Sequence, residues 1–474
     1  MQLNRENLPK ITKLAVDEYI PCLELPTRVL FFGTGVLLRA LPAYCIDEAN
    51  RLGTFNGGIV MIKSTQSGGV EPFLKQDGLY TLRIAGIQNN KETITQQIIT
   101  CVNDILDANT SWREILDLAH DKEINIIISN TTEKGIVDVE DDIFAFPPKS
   151  FPGKLTSYLY TRFQFLAATD ESKIIILPTE LIDDNAVRLA QIVRKQATAH
   201  GLPLSFIHWL DTHVYFCNTL VDRIVPGAIS LADAPYTDIL ATAAEPYFFW
   251  AIESKDNYVH DQLSFMGLSQ NTPILPSIKQ VREIKLRILN GTHTLMAAIA
   301  ILAEHQFVKE TLAVPTYDRF ISQLINQEII PSLRSQGIQE KELDFFSERI
   351  IDRFKNPFIQ HQWVSIAQNY HAKIKSRVLP LLDYWFAFQE QAPAYISFGF
   401  ATYLFFMKQH THLLEEEDLA YAFVNLNIEQ IELFLSNTAI WGTDLTIWPS
   451  WAPAIKQHLQ QLETASIDQI MQHL

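Results

Sequence analysis

Lys285, Asn290 and His293 fall within residues 281–296, among Ile284, Leu286, Ile288, Leu289 and Leu295. An amine, a carboxamide and an imidazole in apolar company are costly to bury unpaired, and they are groups that can move a proton to or from a carbonyl oxygen. Read as one helix at 100° per residue, the stretch puts His293 about 80° around from Lys285, and Asn290 about 140° from it with His293 between them. All three would then line one wall of a cleft. A lysine so placed is expected to hold its proton less tightly than one in water, because desolvation disfavours the ammonium. A structural helix accounts for the same segment if its lysine snorkels to solvent and its histidine is satisfied by a backbone carbonyl. The rest of the chain must decide between the two readings.

With 474 residues, the chain exceeds one core of ordinary size, and two domains are expected. An apolar content of 47% with 19% charged residues is that of a folded globular protein. The formal charge of −16 argues against nucleic acid and anionic membranes as partners and leaves small molecules. Cys22, Cys45, Cys101 and Cys217 are far apart in sequence, with no C-x-x-C pair and no cysteine–histidine cluster at zinc spacing, so no metal site is expected. They read as reduced core residues. The first residues lack the apolar run of a signal peptide and no membrane-length apolar run follows, which implies a cytoplasmic location. The sequence is silent on oligomeric state.

The elements that would position the polar residues fall into two textures. Residues 28–32 form a wholly apolar strand that runs into Gly33-Thr34-Gly35 and a helix over 36–50. A glycine pair between a buried strand and a helix is the first half of a dinucleotide-binding fingerprint, although Leu38 stands at the third glycine position. The next strand, 58–63, ends in Lys63-Ser64 instead of the acid that would hold a ribose 2′-hydroxyl. That leaves a 2′-phosphate open as an alternative to plain NAD, and a solvated strand end as the structural one. Strands are also expected at 79–84, 124–128 and 173–177, the second of them ending in Ser129-Asn130-Thr131-Thr132-Glu133-Lys134. Ser129 and Asn130 are candidate cofactor contacts, since ligands bind at the carboxyl edge of such a sheet. A helix runs to His200, residues 206–210 are a short apolar run, and 214–226 carries Asp222-Arg223, either a buried pair or a substrate contact. Beyond residue 276 helical periodicity takes over, over 282–306, 317–330, 340–355 and 361–382. The expected architecture is an α/β Rossmann-like dinucleotide-binding domain over 1–275 and a mainly α-helical catalytic domain over 276–474.

Three motifs, Lys285-x4-Asn290-x2-His293, Val221-Asp222-Arg223-Ile224-Val225-Pro226 and Gly33-x-Gly35-x3-Arg39-Ala40, together resemble the mannitol dehydrogenase family, the polyol-specific long-chain dehydrogenases. Gln76-Asp77-Gly78-Leu79-Tyr80-Thr81 and Arg353-Phe354-Lys355-Asn356-Pro357-Phe358-Ile359 with His361-Gln362 extend the resemblance to its hexuronate-reducing branch, over roughly residues 28–380. The resemblance implies an NAD-linked enzyme of two domains without a catalytic metal. It implies Lys285 as general acid and base, Asn290 as donor to the developing oxyanion, and His293 as a substrate-positioning group. Asp222 would lie near the substrate, with Gly33 and Gly35 under the pyrophosphate. Many polyol-acting members carry an asparagine where this chain has Leu181, so a second oxyanion donor would have to come from Asn185 or a water. A uronate would also need its carboxylate held, and Arg353, Lys373 and Arg377, with His361 nearby, are the candidates. A fructuronate or neutral hexitol substrate stays open, as does a nucleotide-binding regulatory protein that keeps the fold alone.

Overall fold

The computed structural model describes residues 1–15, 23–65, 68–131, 135–232 and 234–474, so Cys22 and the Thr132-Glu133-Lys134 end of the strand-edge motif lie outside the described residues. The chain divides into two compact units. The first holds residues 1–85 and 93–278, the second 86–92 and 279–474.

The first unit is built on a six-stranded parallel sheet with strand order β5-β2-β1-β6-β7-β8. Its strands are β1 (Thr27–Phe32), β2 (Gly58–Lys63), β5 (Val102–Asp107), β6 (Ile126–Ser129), β7 (Ile174–Pro178) and β8 (Val214–Phe216). Side chains alternate across a strand, and here both faces are covered, so the strands read as continuous apolar runs. Val29 and Phe31 pack with Ile59, Met61, Ile126 and Ile128 on one face. Leu30 and Phe32 pack with Val60, Ile62, Ile127 and Ile176 on the other. The helices Phe151–Leu166 and Asn185–Ala199 cover that second face through Leu155, Leu159, Leu189 and Val193. Phe31 is fully buried, and Phe31→Ala is expected to cost roughly 3–5 kcal/mol.

Two smaller sheets complete the unit. One has the order β10-β11-β3-β4, from β3 (Tyr80–Gln88), β4 (Lys91–Ile99), β10 (Gly227–Ala228) and β11 (Thr242–Ala244). The other has the order β13-β12-β9, from β9 (Thr219–Asp222), β12 (Phe249–Glu253) and β13 (Ile274–Leu275). The strand expected at 79–84 is therefore β3 and lies outside the parallel sheet, whose edge beside β2 is instead β5, a segment whose mixed polarity hid it. The short apolar run 206–210 lies in the helix Leu204–His213. The helix expected over 36–50 is two, Val36–Ala40 and Pro42–Arg51. Leu41 between them has φ −127° and ψ −72°, because a proline at the next position disfavours the helical conformation before it.

The second unit is helical, and three of its helices contain π-helical turns, at Lys285–Gly291, Leu324–Ile329 and Ile374–Val378. The helices Thr292–Leu302 and Ala394–Gln409 cross closely at Gly399, where a Cβ would come within 2.9 Å of the Leu295 side chain. Glu328, on the second π turn, accepts the backbone N–H groups of Tyr395 and Ile396 at 2.9 and 2.8 Å, at the start of Ala394–Gln409. Burial pushes its carboxyl up to about 7. Among the described residues no helix is long and apolar enough to cross a membrane, and Cys45, Cys101 and Cys217 are buried thiols outside any disulfide.

Candidate functional site

In an open α/β sheet the ligand crevice forms where strand order reverses. Here that point lies between β1 and β6, and the segments following both strands meet there. Gly33, with φ +132°, donates its N–H to Ile62 at 2.9 Å, and a Cβ on it would lie 3.0 Å from Leu38 and 3.2 Å from the Asn130 carbonyl oxygen. Both the backbone conformation and the close approach therefore require glycine. A Cβ on Gly35 would meet nothing within 4 Å, so the space beside that residue is open to an incoming group. Beyond β2 the Ser64 hydroxyl is buried without a hydrogen-bond partner among the described residues. An unfilled face by Gly35 and an orphaned hydroxyl at the end of β2 fit a dinucleotide lying along this edge.

The candidate contacts around that edge differ in what their side chains can still do. Ser129 donates its hydroxyl to Glu180 at 3.1 Å, and Thr131 donates both its backbone N–H and its hydroxyl to the same carboxylate, at 2.8 and 2.9 Å. Glu180 is buried, and burial raises its pKa against the lowering effect of those bonds. The Ser129 hydroxyl thus fixes the loop after β6 through Glu180, while the Asn130 amide donates to the Thr179 carbonyl at 3.2 Å. Lys63 is buried, with its ammonium 3.0 Å from Asp107 and donating to the Thr65 carbonyl. It is neither the solvated strand end nor the exposed phosphate-seeking charge that the sequence suggested.

Asn185 cannot supply the second oxyanion donor. Its amide nitrogen faces the carbonyls of Pro178, Glu180 and Thr219 at 2.9, 3.1 and 3.3 Å, and its oxygen accepts from the N–H groups of Ala186 and Thr219. Two N–H bonds cannot serve a fourth acceptor, so Asn185 ties the start of its helix to β7 and β9. Asp222 is buried at the end of β9. Arg223 is structural, donating to the Glu245 and Ala40 carbonyls with its guanidinium over the Tyr44 and Phe248 rings. The Gln76 motif has the same character. The Gln76 amide donates to Leu79 and Asp238, both at 2.8 Å, and its oxygen accepts the Ile239 N–H.

The remaining candidates lie in the second unit. Lys285 and Asn290 sit on the π turn and are half-buried, whereas His293, on the α-helix that follows, is buried. The single uninterrupted helix expected over 281–296 is thus an α–π–α rod. In a π turn the backbone bonds run between residues five apart, so Lys285 and Asn290 come to one side instead of standing about 140° apart as α-helical geometry would place them. Asn290 makes no side-chain hydrogen bond among the described residues, which leaves its carboxamide able to donate.

Around His293 three further segments converge. Phe354, at the end of the helix Glu340–Phe354, stacks on its ring at a centroid distance of 4.2 Å. His361 meets it edge-on at 5.1 Å, and Trp363 at 6.1 Å. Arg353 precedes Phe354, while Lys373 and Arg377 come from the segment that holds the third π turn. Burial, then the charges of His361, Arg353, Arg377 and Lys373, push the His293 pKa well down, so the ring is neutral; its buried Nε2 has no hydrogen-bond partner among the described residues. His361 is depressed by burial and by Arg353 and Lys373.

Arg377 is the most telling member of the group. Burial lowers its pKa, the contact it makes is to the neutral Thr294 hydroxyl at 3.3 Å, and among the described residues no carboxylate pairs with it. A guanidinium partly withdrawn from water without an anion is a place where a ligand's anion would be favoured.

What holds these groups in place has little signal in the sequence. Arg287, on the first π turn, is clamped by Glu283 at 3.0 and 3.1 Å and donates to the Ser376 carbonyl on the third. Tyr370 is inserted into a neighbouring helix: its hydroxyl donates to the Thr294 carbonyl at 2.8 Å and accepts the Ala298 N–H at 2.9 Å. Those two backbone groups would bond each other in an unbroken α-helix.

Comparison with known proteins agrees with this layout. The chain matches the Mannitol dehydrogenase Rossmann domain over residues 27–264 and the Mannitol dehydrogenase C-terminal domain over 277–463. An altronate oxidoreductase of Bacillus subtilis (strain 168) is 31% identical over 98% of either chain. One of Yersinia enterocolitica is 34% identical over 92% of this chain and 94% of its own. Among solved structures, the mannitol 2-dehydrogenase of Pseudomonas fluorescens, in a ternary complex with NAD and D-mannitol, aligns over 100% of this chain and 99% of its own with a TM-score of 0.70 at 19% identity. A D-sorbitol dehydrogenase aligns over 98% and 99% with a TM-score of 0.80 at 17% identity. At such identities the two structures speak for the fold alone.

Proposed function

The chain belongs to the mannitol dehydrogenase family, and from that premise we propose that this NAD-dependent oxidoreductase interconverts D-tagaturonate and D-altronate in hexuronate breakdown. The altronate oxidoreductases among its relatives support the substrate. The observation that carries it is Arg377, a half-buried guanidinium that pairs with no carboxylate among the described residues, in a group where burial, and after it the neighbouring positive charges, depress His293 and His361. A neutral hexitol offers such a group nothing, whereas a sugar acid brings the missing anion. An arginine fork suits a carboxylate better than a lysine does.

NADH, when bound, supplies the hydride. The residues of this chain manage the proton and the charge. Lys285 gives its proton to the substrate oxygen as the carbonyl becomes an alcohol, and in the reverse direction its neutral amine takes that proton back. Asn290 donates to the same oxygen as negative charge develops on it. His293, held neutral, orients a substrate hydroxyl through Nε2, and Arg377 holds the carboxylate. None of these steps calls on a metal, and activity should survive exhaustive chelation; loss with EDTA that zinc or manganese restores would overturn the lysine mechanism.

NADH oxidation followed against D-tagaturonate, D-fructuronate, D-fructose and D-tagatose tests the substrate. The reading expects D-tagaturonate to give the highest kcat/KM. A neutral ketose as the best substrate would overturn it in favour of a hexitol dehydrogenase, and D-fructuronate as the best would assign the sister activity. Absence of turnover with any of the four, despite tight dinucleotide binding, would favour a regulatory nucleotide-binding protein.

A further inference from the structure

In a dinucleotide-binding sheet an acid at the end of the second strand receives the adenosine ribose and disfavours a 2′-phosphate. This chain has Lys63 at that place. On charge alone, a lysine there would favour NADPH. The structure closes that route from the neighbouring strand. Asp107 is the last residue of β5 and stands in register with Lys63, the last residue of β2. Its Oδ2 lies 3.0 Å from the Lys63 ammonium. Its Oδ1 accepts from the Asn109 N–H at 2.9 Å and from the Asn109 side chain at 2.8 Å. Lys63 also donates to the Thr65 carbonyl. The lysine is buried while the aspartate keeps 19% of its side chain exposed, so the face turned to solvent carries the acid.

Resting on the reading that a dinucleotide binds along this edge, we propose that Asp107 sets the preference for NADH by holding Lys63 away from a 2′-phosphate and restoring, from β5, the negative charge that β2 lacks. Asp107 is a specificity-determining residue acting through Lys63. Its own oxygens are engaged by Lys63 and Asn109, so it works as a charge and a tether.

Dissociation constants for NADH and NADPH, measured by isothermal titration calorimetry without substrate, test this on the full chain. The wild type should bind NADH more tightly. Asp107→Asn keeps the shape and an acceptor but releases the lysine, so the ratio should move toward NADPH by about 10- to 100-fold, the range for a gained charge-assisted hydrogen bond. Adding Lys63→Met to that variant should abolish the move. Lys63→Met alone leaves the aspartate uncompensated and should push the ratio further toward NADH, which keeps the test decisive if Asp107→Asn lowers the melting temperature too far to be measured. An unchanged ratio in a folded Asp107→Asn protein, or a shift that persists without Lys63, would overturn the proposal. A wild type that binds neither dinucleotide would overturn instead the reading on which it rests.

Discussion

At the scale of single residues, the proposed roles of Lys285 and Asn290 differ in what their loss should do. Lys285→Ala removes the proton donor, and kcat should fall by at least about 10²-fold while dinucleotide affinity changes little. In the wild type the oxidation of altronate needs the neutral amine, so its rate should rise with pH through the lysine's titration, and that limb should vanish in the variant. Asn290→Ala should cost roughly 2.7–4 kcal/mol of transition-state stabilisation and leave the pH limb in place. Melting temperatures recorded beside single-turnover hydride transfer separate chemistry from folding. A fully active but unstable Lys285→Ala protein would end the assignment. That Lys285, Asn290 and His293 share one helical segment was legible, because polar residues recurring in an apolar stretch need a reason to be there. Asn185 misled for the same reason: its amide is occupied by backbone groups, and sequence does not distinguish a polar side chain that meets a ligand from one that braces a turn.

At the scale of elements, the π turns decide where the polar side chains point, and they could not be read from hydrophobic periodicity. One inserted residue alters the phase of a helix without altering its composition. The Gly33-Thr34-Gly35 turn was readable because a buried strand followed by glycine has few structural solutions. The β5 strand was not, since Asn103 and Asp104 interrupt its apolar pattern.

Tyr370 gives this scale its sharpest test. Its hydroxyl bridges Thr294 and Ala298 in the helix that starts just before His293, on the segment that leads to Lys373 and Arg377. Tyr370→Phe should therefore lower stability by about 1–3 kcal/mol, the cost of buried polar groups left unsatisfied, and raise KM more than it lowers kcat. Denaturant unfolding and steady-state kinetics check the two parts, and an unchanged KM in a destabilised protein would confine Tyr370 to folding.

Glu328 adds a pH signature. Its pKa is raised to about 7 from the ordinary 4.5, so between those values the folded state keeps a proton that the unfolded state releases. Stability from this group is present at low pH and is lost as pH rises toward and through 7. On the order of 3 kcal/mol is at stake. The melting temperature of the wild type relative to Glu328→Gln should fall between pH 5 and pH 8, and parallel profiles would contradict the assignment.

At the scale of the whole molecule, the order of a sheet-based unit followed by a helical one was legible in the change of texture, where buried strands give way to helical periodicity. The assignment of residues 86–92 to the second unit was not, because it is made by contacts distant in sequence such as that of the Asn90 N–H with Asp352. The first unit presents an edge fitted to a dinucleotide, and the second gathers cations around a neutral imidazole. The central claim, that this gathering exists for a sugar acid, rests most directly on Arg377. The measurement that tests it is the ratio of kcat/KM for D-tagaturonate to that for D-tagatose, which carries a primary alcohol in place of the carboxylate, in the wild type and in Arg377→Met. The account predicts a strong wild-type preference for the acid that falls by about 10- to 100-fold in the variant, as expected for a lost charge-assisted hydrogen bond, with activity on the neutral ketose nearly unchanged. A ratio that is the same in both proteins would contradict it.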